Sequence, residues 1–571
     1  MKLRHLLILL LFTLSLVQAG NTPAEHDTLT IIQYPIINVP LLALPGDTIP
    51  VDISLSPAET VASVSLIFRG HRTGLEFFEV PDDAVNGLRR VRAVLPASML
   101  YGLYDLEISC SGEIDEDVSE HAVYIIPEYK NDFTFIHITD THLPSHYFWG
   151  DSGVETDSTE LEDFRAVIDD INTIHPEFVL HTGDLINDGE LEALGIPAIS
   201  RAKKILHELD VPLFLVGGNH DLGGWDATPA PTGTARTTWW KYFGWKYLDN
   251  TSPGALITQD YSFNYGDIHF AGMEAYTLYG SYDGWRDNLY GSTSFTSGQL
   301  QWLAGDLAEN AGAALNILFY HNDFDGDLNL SSLGVDAAFW GHIHRNTGDM
   351  TAFPYDISTG STCDGNRWYR VVRVQNNAIV SMQAVQAGMY GEAIIKTVNA
   401  AGSMVRITNN TGIGFQKCLI TFTLEEGKRL SSLNNAYLMQ VDTLNSPHTV
   451  YAYVDVPAHS FIDASISVED IPETAAAGTV PDAFSLTVYP NPFNPLLTAA
   501  LSLPDDMNVT VTVYNVEGKA VHRIPSRPYS KGMHRIRWNG DAYPSGVYFL
   551  GFEALSTTEK YHVVKKCLLL K

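Results

Sequence analysis

Hydrophobic and polar residues follow two different patterns along this chain. Between residues 28 and 128, short β-rich runs such as "VASVSLIF" and "YGLYDLEIS" are separated by Pro/Gly turns. Regularly spaced short strands are typical of a small β-sandwich of the immunoglobulin type. From 130 to 385, strand-like runs end abruptly in polar residues, and apolar residues recur at helical spacing between them, as at Phe164, Ile168 and Ile171. This alternation predicts an α/β domain with parallel strand pairing.

The segments on either side complete a multidomain prediction. Residues 386–468 are β-rich again, the Pro-containing stretch 469–484 has no periodicity and indicates a linker, and 485–571 forms a last β module. The first 19 residues (1–19) combine basic residues, an apolar run and the small-residue site "VQA", which predicts a signal peptide. We therefore predict a mixed α/β and all-β protein, with the central α/β domain flanked by immunoglobulin-like β-sandwich modules.

Side chains that can bind metals follow the apolar runs of the α/β segment. In such domains ligands collect at the carboxyl ends of the strands. One acidic residue after a buried strand is common. Here five successive apolar runs are each followed by Asp, His or Asn, which would lie at the same edge of the sheet. The candidate metal ligands are Asp140, His142, Asp184, Asn219, His321, His342 and His344.

The last two of these candidates stand in "GHIH", with one residue between them. On an extended backbone, positions i and i+2 point to the same side, so both imidazoles of His342 and His344 would face one spot. For an isolated His-x-His, a loop with two solvated histidines would be the better interpretation. Metal binding is favoured here because partner ligands follow the other strands.

The number and chemistry of these ligands suit two metal ions. Seven ligands with one bridging carboxylate would give each ion four protein contacts and leave room for water and substrate. Imidazole, carboxylate and amide oxygen without a thiolate favour divalent Mn, Fe, Zn or Co. Calcium prefers oxygen ligands and would not select so many imidazoles.

The candidate ligands belong to five short motifs that occur in a fixed order. They are Asp140-Thr-His142, Gly183-Asp184, Gly218-Asn219-His220-Asp221, His321 and Gly341-His342-Ile-His344. A single Gly-Asn-His-Asp would be weak support, but all five in order resemble the calcineurin-like metallophosphoesterase superfamily over about 130–385. The resemblance implies a metal-dependent phosphoric ester hydrolase, in which a hydroxide bridging two divalent ions attacks the phosphorus.

The same resemblance implies a role for each residue. One ion would take Asp140, His142, Asp184 and His344, and the other would take Asp184, Asn219, His321 and His342. His220 would contact the phosphate and protonate the leaving alkoxide, and Asp221 would orient His220.

The C-terminal module contains "YPNPFNP", "YNVEGK", "SGVYFL" and terminal lysines. Together these features resemble the sorting domain of type IX secretion substrates. This resemblance implies a secreted or surface-attached protein of a Gram-negative bacterium, with the type IX secretion machinery as a partner. An ordinary structural sandwich is the alternative.

Charge, hydropathy and cysteine content argue against several other classes of protein. The formal charge is −32, without a Lys/Arg cluster, which argues against a nucleic-acid-binding face. No stretch after the signal peptide is long and apolar enough for a transmembrane segment, which needs about 20 residues. The four cysteines, Cys110, Cys363, Cys418 and Cys567, are too scattered for a disulfide framework, and their pairing stays open.

Taken together, these features predict a secreted binuclear phosphoesterase acting on phosphate mono- or diesters. A nucleotide pyrophosphatase on the same fold is one alternative. A catalytically inert surface binding or adhesion protein is another, although the complete ligand set argues against it.

Overall fold

The computed structural model describes most of the chain in two compact units, one ending at Glu469 and one from Asp470 to Lys571. The predicted signal peptide (1–19) and most of the predicted linker (469–484) lie outside the described residues. The described residues are 28–83, 87–111, 116–143, 158–187, 192–222, 234–244, 258–275, 294–323, 326, 328–388, 394–470, 484–489, 491, 493–516, 518–556 and 560–571.

The first eight strands belong to one sheet. They are β1 (Ile32–Tyr34), β2 (Leu41–Ala43), β3 (Thr48–Ile53), β4 (Val61–Phe68), β5 (His71–Asp83), β6 (Leu88–Val94), β7 (Gly102–Cys110) and β8 (Glu116–Ile125). Their order is β1-β3-β6-β5-β4-β7-β8-β2. The long strand β5 pairs with β4 through its first residues and with β6 through the rest. The sheet encloses one apolar core that includes Val51, Leu66 and Val91. An immunoglobulin-type topology stays a prediction.

The central part alternates strands and helices. Its strands are β9 (Phe133–Ile138), β10 (Val179–His181), β11 (Leu213–Leu215), β12 (Tyr261–Tyr265), β13 (Ile268–Met273), β14 (Leu315–Tyr320), β15 (Ala337–Trp340), β16 (Tyr355–Ser358), β17 (Trp368–Gln375) and β18 (Ala378–Gln386). Its helices are α1 (Ser158–Ile174), α2 (Glu192–Leu206), α3 (Asn219–Leu222), α4 (Thr234–Phe243), α5 (Ser297–Glu309) and α6 (Leu330–Leu333).

These strands form two five-stranded sheets, ordered β11-β10-β9-β17-β18 and β12-β13-β14-β15-β16. Strands β9, β10 and β11 pair in parallel, and so do β13, β14, β15 and β16. The predicted central α/β domain with parallel pairing is confirmed. Because parallel strands all end at one edge, each sheet brings the residues that follow its strands close together.

An aromatic core joins the two sheets. The ring of Phe135 on β9 lies 5.6 Å from the rings of Phe270 on β13 and Phe339 on β15. These three rings are fully buried. On the other side of the first sheet, Phe164 and Ile168 of the predicted helical stripe lie in α1 and are buried in a second apolar cluster. Packing on both faces fixes the edge from which the polar residues project.

The rest of the chain is all β. The first unit continues with β19 (Ile394–Val398), β20 (Met404–Asn409), β21 (Phe415–Thr423), β22 (Lys428–Asn434), β23 (Tyr437–Asp442), β24 (Thr449–Val456) and β25 (Ser460–Asp470). They form the sheets β19-β20-β25-β22 and β21-β24-β23.

The second unit has its own apolar core, which includes Val511, Trp538 and Phe552. Its strands are β26 (Ser485–Tyr489), β27 (Leu496–Leu503), β28 (Met507–Tyr514), β29 (Ala520–Tyr529), β30 (Gly532–Asn539), β31 (Gly546–Leu555) and β32 (Lys560–Leu569). They form the sheets β26-β27-β30 and β29-β28-β31-β32. This region is all β, as predicted.

Candidate metal centre

The chain turns sharply where the parallel strands end. Five of the candidate ligands have left-handed backbone conformations, which non-glycine residues seldom adopt. Their φ angles are 50° for Asp140, 44° for His142, 51° for Asp184, 65° for His342 and 53° for His344. Such conformations are costly and persist only where the surrounding structure imposes them, and they cluster at functional sites.

Glycines make room for these turns. A Cβ on Gly341 would lie 1.9 Å from Thr139 Oγ1 and 2.5 Å from Asp140 Oδ2. A Cβ on Gly218 would lie 2.3 Å from Asp184 Oδ1. The glycines of the Gly-His-x-His and Gly-Asn-His-Asp motifs are therefore required for close approach to the site carboxylates.

One set of side chains gathers around Asp140. Its Oδ1 lies 3.6 Å from His142 Nε2 and 3.3 Å from His344 Nε2. The two imidazole Nε2 atoms are 3.1 Å apart. Asp184 Oδ2 is 3.7 Å from His142 Nε2. These four residues therefore direct their donor atoms toward one small volume.

A second set gathers on the other side of Asp184. Asp184 Oδ2 lies 3.1 Å from His321 Nε2. His342 Nδ1 is 3.3 Å from His321 Nε2 and 3.1 Å from Asn219 Oδ1. His321 Nδ1 donates to the carbonyl of Thr182 at 2.7 Å, which turns Nε2 toward the carboxylate. The structure thus brings all seven candidate ligands together in two sets that share Asp184.

The charges of this cluster are unusual for a buried site. Asp140 and Asp184 are at most 1% exposed. Burial opposes their ionisation, but the imidazoles of His142 and His344 beside Asp140, and the charge of His321 near Asp184, hold both pKa values below the usual range. Burial likewise opposes a charge on His321, but Asp184 raises the pKa of His321 to about 9. Burial lowers the pKa of His342 to about 3. The two carboxylates therefore require positive charge between them.

The donor atoms fit metal ions as the source of that charge. Within the described residues, the buried atoms Asp140 Oδ1 and His142 Nδ1 have no hydrogen-bond partner. In three groups, one ligand atom from each residue lies within 4.8 Å of the others, as metal binding requires. The groups are His142, Asp184 and His220, then Asp184, His321 and His342, and finally His142, His344 and Cys363.

His220 and Asp221 both contact the backbone of neighbouring loops. The Asp221 carboxylate was expected to orient His220, but it accepts hydrogen bonds from the backbone N–H groups of Leu185, Ile186 and Gly218 at 2.8–3.2 Å. The Nδ1 atom of His220 instead lies 2.7 Å from the carbonyl oxygen of Asn187. Asp221 therefore ties two loops of the site together through their backbones.

Two residues close to the site lie outside the five sequence motifs. Asn187 follows the Gly-Asp motif and contributes its backbone carbonyl, which any residue could supply. Cys363 lies beyond β16 and is 2% exposed. Its presence near the imidazoles follows from hydrogen bonds to a distant loop, and a single cysteine in "STCDG" is too weak a signal to reveal it. None of the four cysteines forms a disulfide.

Comparison with known proteins supports the two resemblances. Residues 133–346 match the family model for calcineurin-like phosphoesterases, and residues 487–566 match that for a secretion system C-terminal sorting domain. The predicted class, a metal-dependent phosphoric ester hydrolase, agrees with the first match. The second match confirms the predicted secreted or cell-surface location in a Gram-negative bacterium. Within the described residues, no helix is long and apolar enough to cross a membrane.

Individual relatives are similar over shorter stretches. The chain is 33% identical over 88 residues to the DNA double-strand break repair proteins Mre11 of Methanocaldococcus jannaschii and Methanococcus maripaludis. Each match covers 15% of this chain and 23% of the relative, so the chain spans less than a quarter of their length.

Among solved structures, the purple acid phosphatase PPD1 of yellow lupin (Lupinus luteus) is similar with 14% identity and a TM-score of 0.32. That match covers 64% of this chain and 70% of the lupin chain. The TM-score is too low to support a conclusion. The family models are more informative: residues 133–346 are similar to the calcineurin-like phosphoesterases, and residues 487–566 are similar to a secretion system C-terminal sorting domain.

Proposed function

We propose that this protein is a secreted binuclear phosphoesterase that hydrolyses phosphate mono- or diesters. The observation that carries the proposal is the convergence of six other His, Asp and Asn side chains around the buried carboxylate of Asp184. Asp140, His142, Asp184 and His344 would hold one divalent ion. Asp184, Asn219, His321 and His342 would hold the other. The buried Asp140 Oδ1, which lacks a hydrogen bond, supports this assignment.

The ions would supply the chemistry that an acidic protein lacks. When bound, two divalent cations activate water and offset the negative charge of the phosphoryl oxygens. The protein's own part is to hold the donor atoms in place. The φ angles above 40° at Asp140, His142, Asp184, His342 and His344 support a rigid arrangement, because ligands that are already positioned lose little freedom on binding.

His220 would handle the proton of the leaving group. A carbonyl oxygen can only accept, so His220 Nδ1 must carry the hydrogen in its contact with Asn187. The nitrogen that exchanges a proton with substrate is then Nε2. We assign to it the transfer of a proton to the departing alkoxide oxygen, which is general acid catalysis.

The flanking modules belong to the same proposal. We infer that the β modules of 28–128 and 485–571 are immunoglobulin-like and that the C-terminal one engages the type IX secretion machinery. The match of residues 487–566 to a sorting domain supports the second part.

Metal analysis combined with one substitution tests the proposed centre. The purified protein should hold close to two divalent transition-metal ions per chain and should hydrolyse phosphate esters in a screen of mono- and diesters. Asp184→Asn should lower the content of both ions, because both sets share this carboxylate. Chelation should abolish activity, and adding metal back should restore it.

Asp170→Asn is the matched control for this experiment. Asp170 is also a buried aspartate, 4% exposed, but it is bonded to Tyr369 outside the site. Its substitution should leave the metal content unchanged. Hydrolysis of esters by metal-free protein would contradict the proposal, and so would full metal content in Asp184→Asn.

A further inference from the structure

We propose that Cys363 is an additional metal ligand, which binds through its thiolate sulfur to the ion held by Asp140, His142 and His344. This inference rests on the proposed metal centre and adds a residue type that the sequence pattern did not include. It changes the expected metal preference, because a thiolate is a softer ligand than imidazole or carboxylate.

The position of the sulfur carries the proposal. Cys363 Sγ and one ring nitrogen each from His142 and His344 all lie within 4.8 Å of one another. In a tetrahedral site with Zn–S and Zn–N distances of about 2.3 and 2.1 Å, sulfur and nitrogen lie about 3.6 Å apart. The three atoms are therefore close enough to reach a shared ion with side-chain shifts on the order of 1 Å.

The backbone fixes Cys363 in this place. Its N–H donates to the carbonyl of Asp140 at 3.2 Å, and the N–H of Thr362 donates to the carbonyl of Thr139 at 3.1 Å. Two residues further along, Gly365 N–H donates to the buried carboxylate of Asp163 at 2.6 Å. The loop that carries the cysteine is thus attached to the loop that carries Asp140, so the sulfur has a set position relative to that carboxylate.

The surroundings of Cys363 also differ from those of the other cysteines. Cys110, Cys418 and Cys567 lie on strands and are members of apolar clusters, as buried structural cysteines usually are. Cys363 faces histidine rings and the carboxylate of Asp364, whose Oδ2 is 3.4 Å from the sulfur. The neighbouring Asp140 Oδ1 is fully buried without a hydrogen bond, which independently supports cation binding at this point.

Binding through sulfur requires the thiol to lose its proton. The S–H bond breaks, the proton passes to solvent, and the metal–sulfur bond forms, with no change in oxidation state. A bound divalent ion makes this step favourable because its charge stabilises the thiolate. With this ligand, the site should prefer Zn, Co or Fe to Mn or Mg.

X-ray absorption on the zinc-loaded full-length protein tests the proposal directly. We expect a sulfur shell at about 2.3 Å in addition to nitrogen and oxygen at about 2.0–2.2 Å. The cobalt-loaded protein should show a sulfur-to-cobalt charge-transfer band. Both signals should persist in Cys418→Ser, which alters another buried cysteine, and disappear in Cys363→Ser and Cys363→Ala.

Metal competition gives a second readout. Cys363→Ser should lower zinc affinity at one site by at least the roughly 10-fold seen when supporting groups of a metal site are lost. Its manganese affinity should change less. Because the sulfur shell is measured on the unaltered protein, the result does not depend on whether either variant folds.

The outcomes separate this inference from the proposed function. Two bound zinc ions with only nitrogen and oxygen neighbours would overturn the role of Cys363 and leave the binuclear centre intact. A protein that binds no metal would overturn both. A sulfur shell that survives in folded Cys363→Ser would also overturn the assignment.

Discussion

Asp184 links the two halves of the site through one carboxylate. Its Oδ2 lies 3.7 Å from His142 Nε2 and 3.1 Å from His321 Nε2. Its Oδ1 accepts the backbone N–H of His220 at 2.9 Å. The same residue therefore positions donor atoms of both sets and the backbone of the proposed general acid. At the scale of single residues, the site depends on such shared contacts.

The role of His220 can be separated from metal binding by the choice of substrate. His220→Ala should retain both ions but lose about 10²- to 10⁴-fold in kcat on alkyl phosphate esters, whose leaving alkoxide needs a proton. The loss should be smaller on nitrophenyl esters, whose leaving group needs little protonation. His562→Ala, which alters an exposed histidine of β32, is the control. Equal losses on both substrates would contradict a role in proton transfer.

Gly341 tests whether the site depends on close backbone approach. In Gly341→Ala the new Cβ would lie 1.9 Å from Thr139 Oγ1, so the His342 and Asp140 loops must separate. We expect loss of metal and destabilisation by about 1–3 kcal/mol, as for other overpacked positions.

The same substitution at Gly305 is the control for Gly341. Gly305 lies in α5, and its added Cβ would have no atom within 4 Å. Gly305→Ala should therefore stabilise the helix by up to about 1 kcal/mol without affecting metal content. Metal content and denaturant unfolding measure both effects. Unchanged metal binding in Gly341→Ala would show that the loops tolerate the extra atom.

At the scale of secondary-structure elements, helix α1 is anchored to strand β17 by polar as well as apolar contacts. Tyr369 on β17 donates to Asp170 Oδ2 on α1 at 3.0 Å. Arg367 Nε donates to Asp163 Oδ1 at 2.6 Å, and Asp163 is fully buried. Since Asp163 also accepts from the N–H of Gly365, the helix supports the loop that carries Cys363.

Asp170 makes stability depend on pH in a predictable direction. Burial outweighs the Tyr369 hydrogen bond and raises the pKa of Asp170 to about 7. The folded state then holds this proton up to about pH 7, whereas the unfolded state releases it near pH 4. The contribution of Asp170 to the free energy of unfolding should therefore fall as pH rises from about 4 to about 7.

Substitution of Asp170 isolates this effect. Asp170→Asn keeps an acceptor for Tyr369 but does not ionise. Its free energy of unfolding relative to wild type should rise between pH 4 and 7 by up to about 4 kcal/mol. Urea unfolding of both proteins between pH 4 and 7 measures this difference in the free energy of unfolding. The control is Asp169→Asn, which alters an exposed position on the same helix. A difference that stays constant with pH would contradict the raised pKa.

At the scale of the whole molecule, the site and the sorting domain belong to different compact units. The candidate ligands lie between Asp140 and His344 in the first unit, which ends at Glu469. The second unit, from Asp470 to Lys571, encloses its own apolar core. A unit with a separate core can fold without its neighbour.

Deletion of 485–571 tests this separation. The shortened protein should keep its metal content, its specific activity and the unfolding transition of the first unit. In the native host, the same deletion should leave the enzyme in the periplasm. The deleted segment, fused to an unrelated exported protein, should carry that protein to the surface. Normal secretion of the shortened enzyme would show that residues 485–571 are not the sorting signal.

The sequence by itself determined the parts of this protein that are encoded locally. A helical stripe, such as that of α1, and polar residues directly after an apolar run can be read within a few positions, because side-chain direction repeats with a fixed period. Parallel pairing then implies a common edge for those residues. The candidate ligands can be predicted in this way, whereas the C-terminal sorting domain is predicted by its resemblance to a known family.

Only the tertiary structure decided which groups contact one another across long separations. The sulfur of Cys363 reaches the site because its loop bonds to the backbone of Thr139 and Asp140. Asp221 accepts hydrogen bonds from the backbone of the Asp184 loop, and His220 Nδ1 contacts a main-chain carbonyl. Backbone N–H and C=O groups are nearly the same at every residue, so residue type does not predict which of them pair. The pairing is set only when the sheets and loops pack against one another.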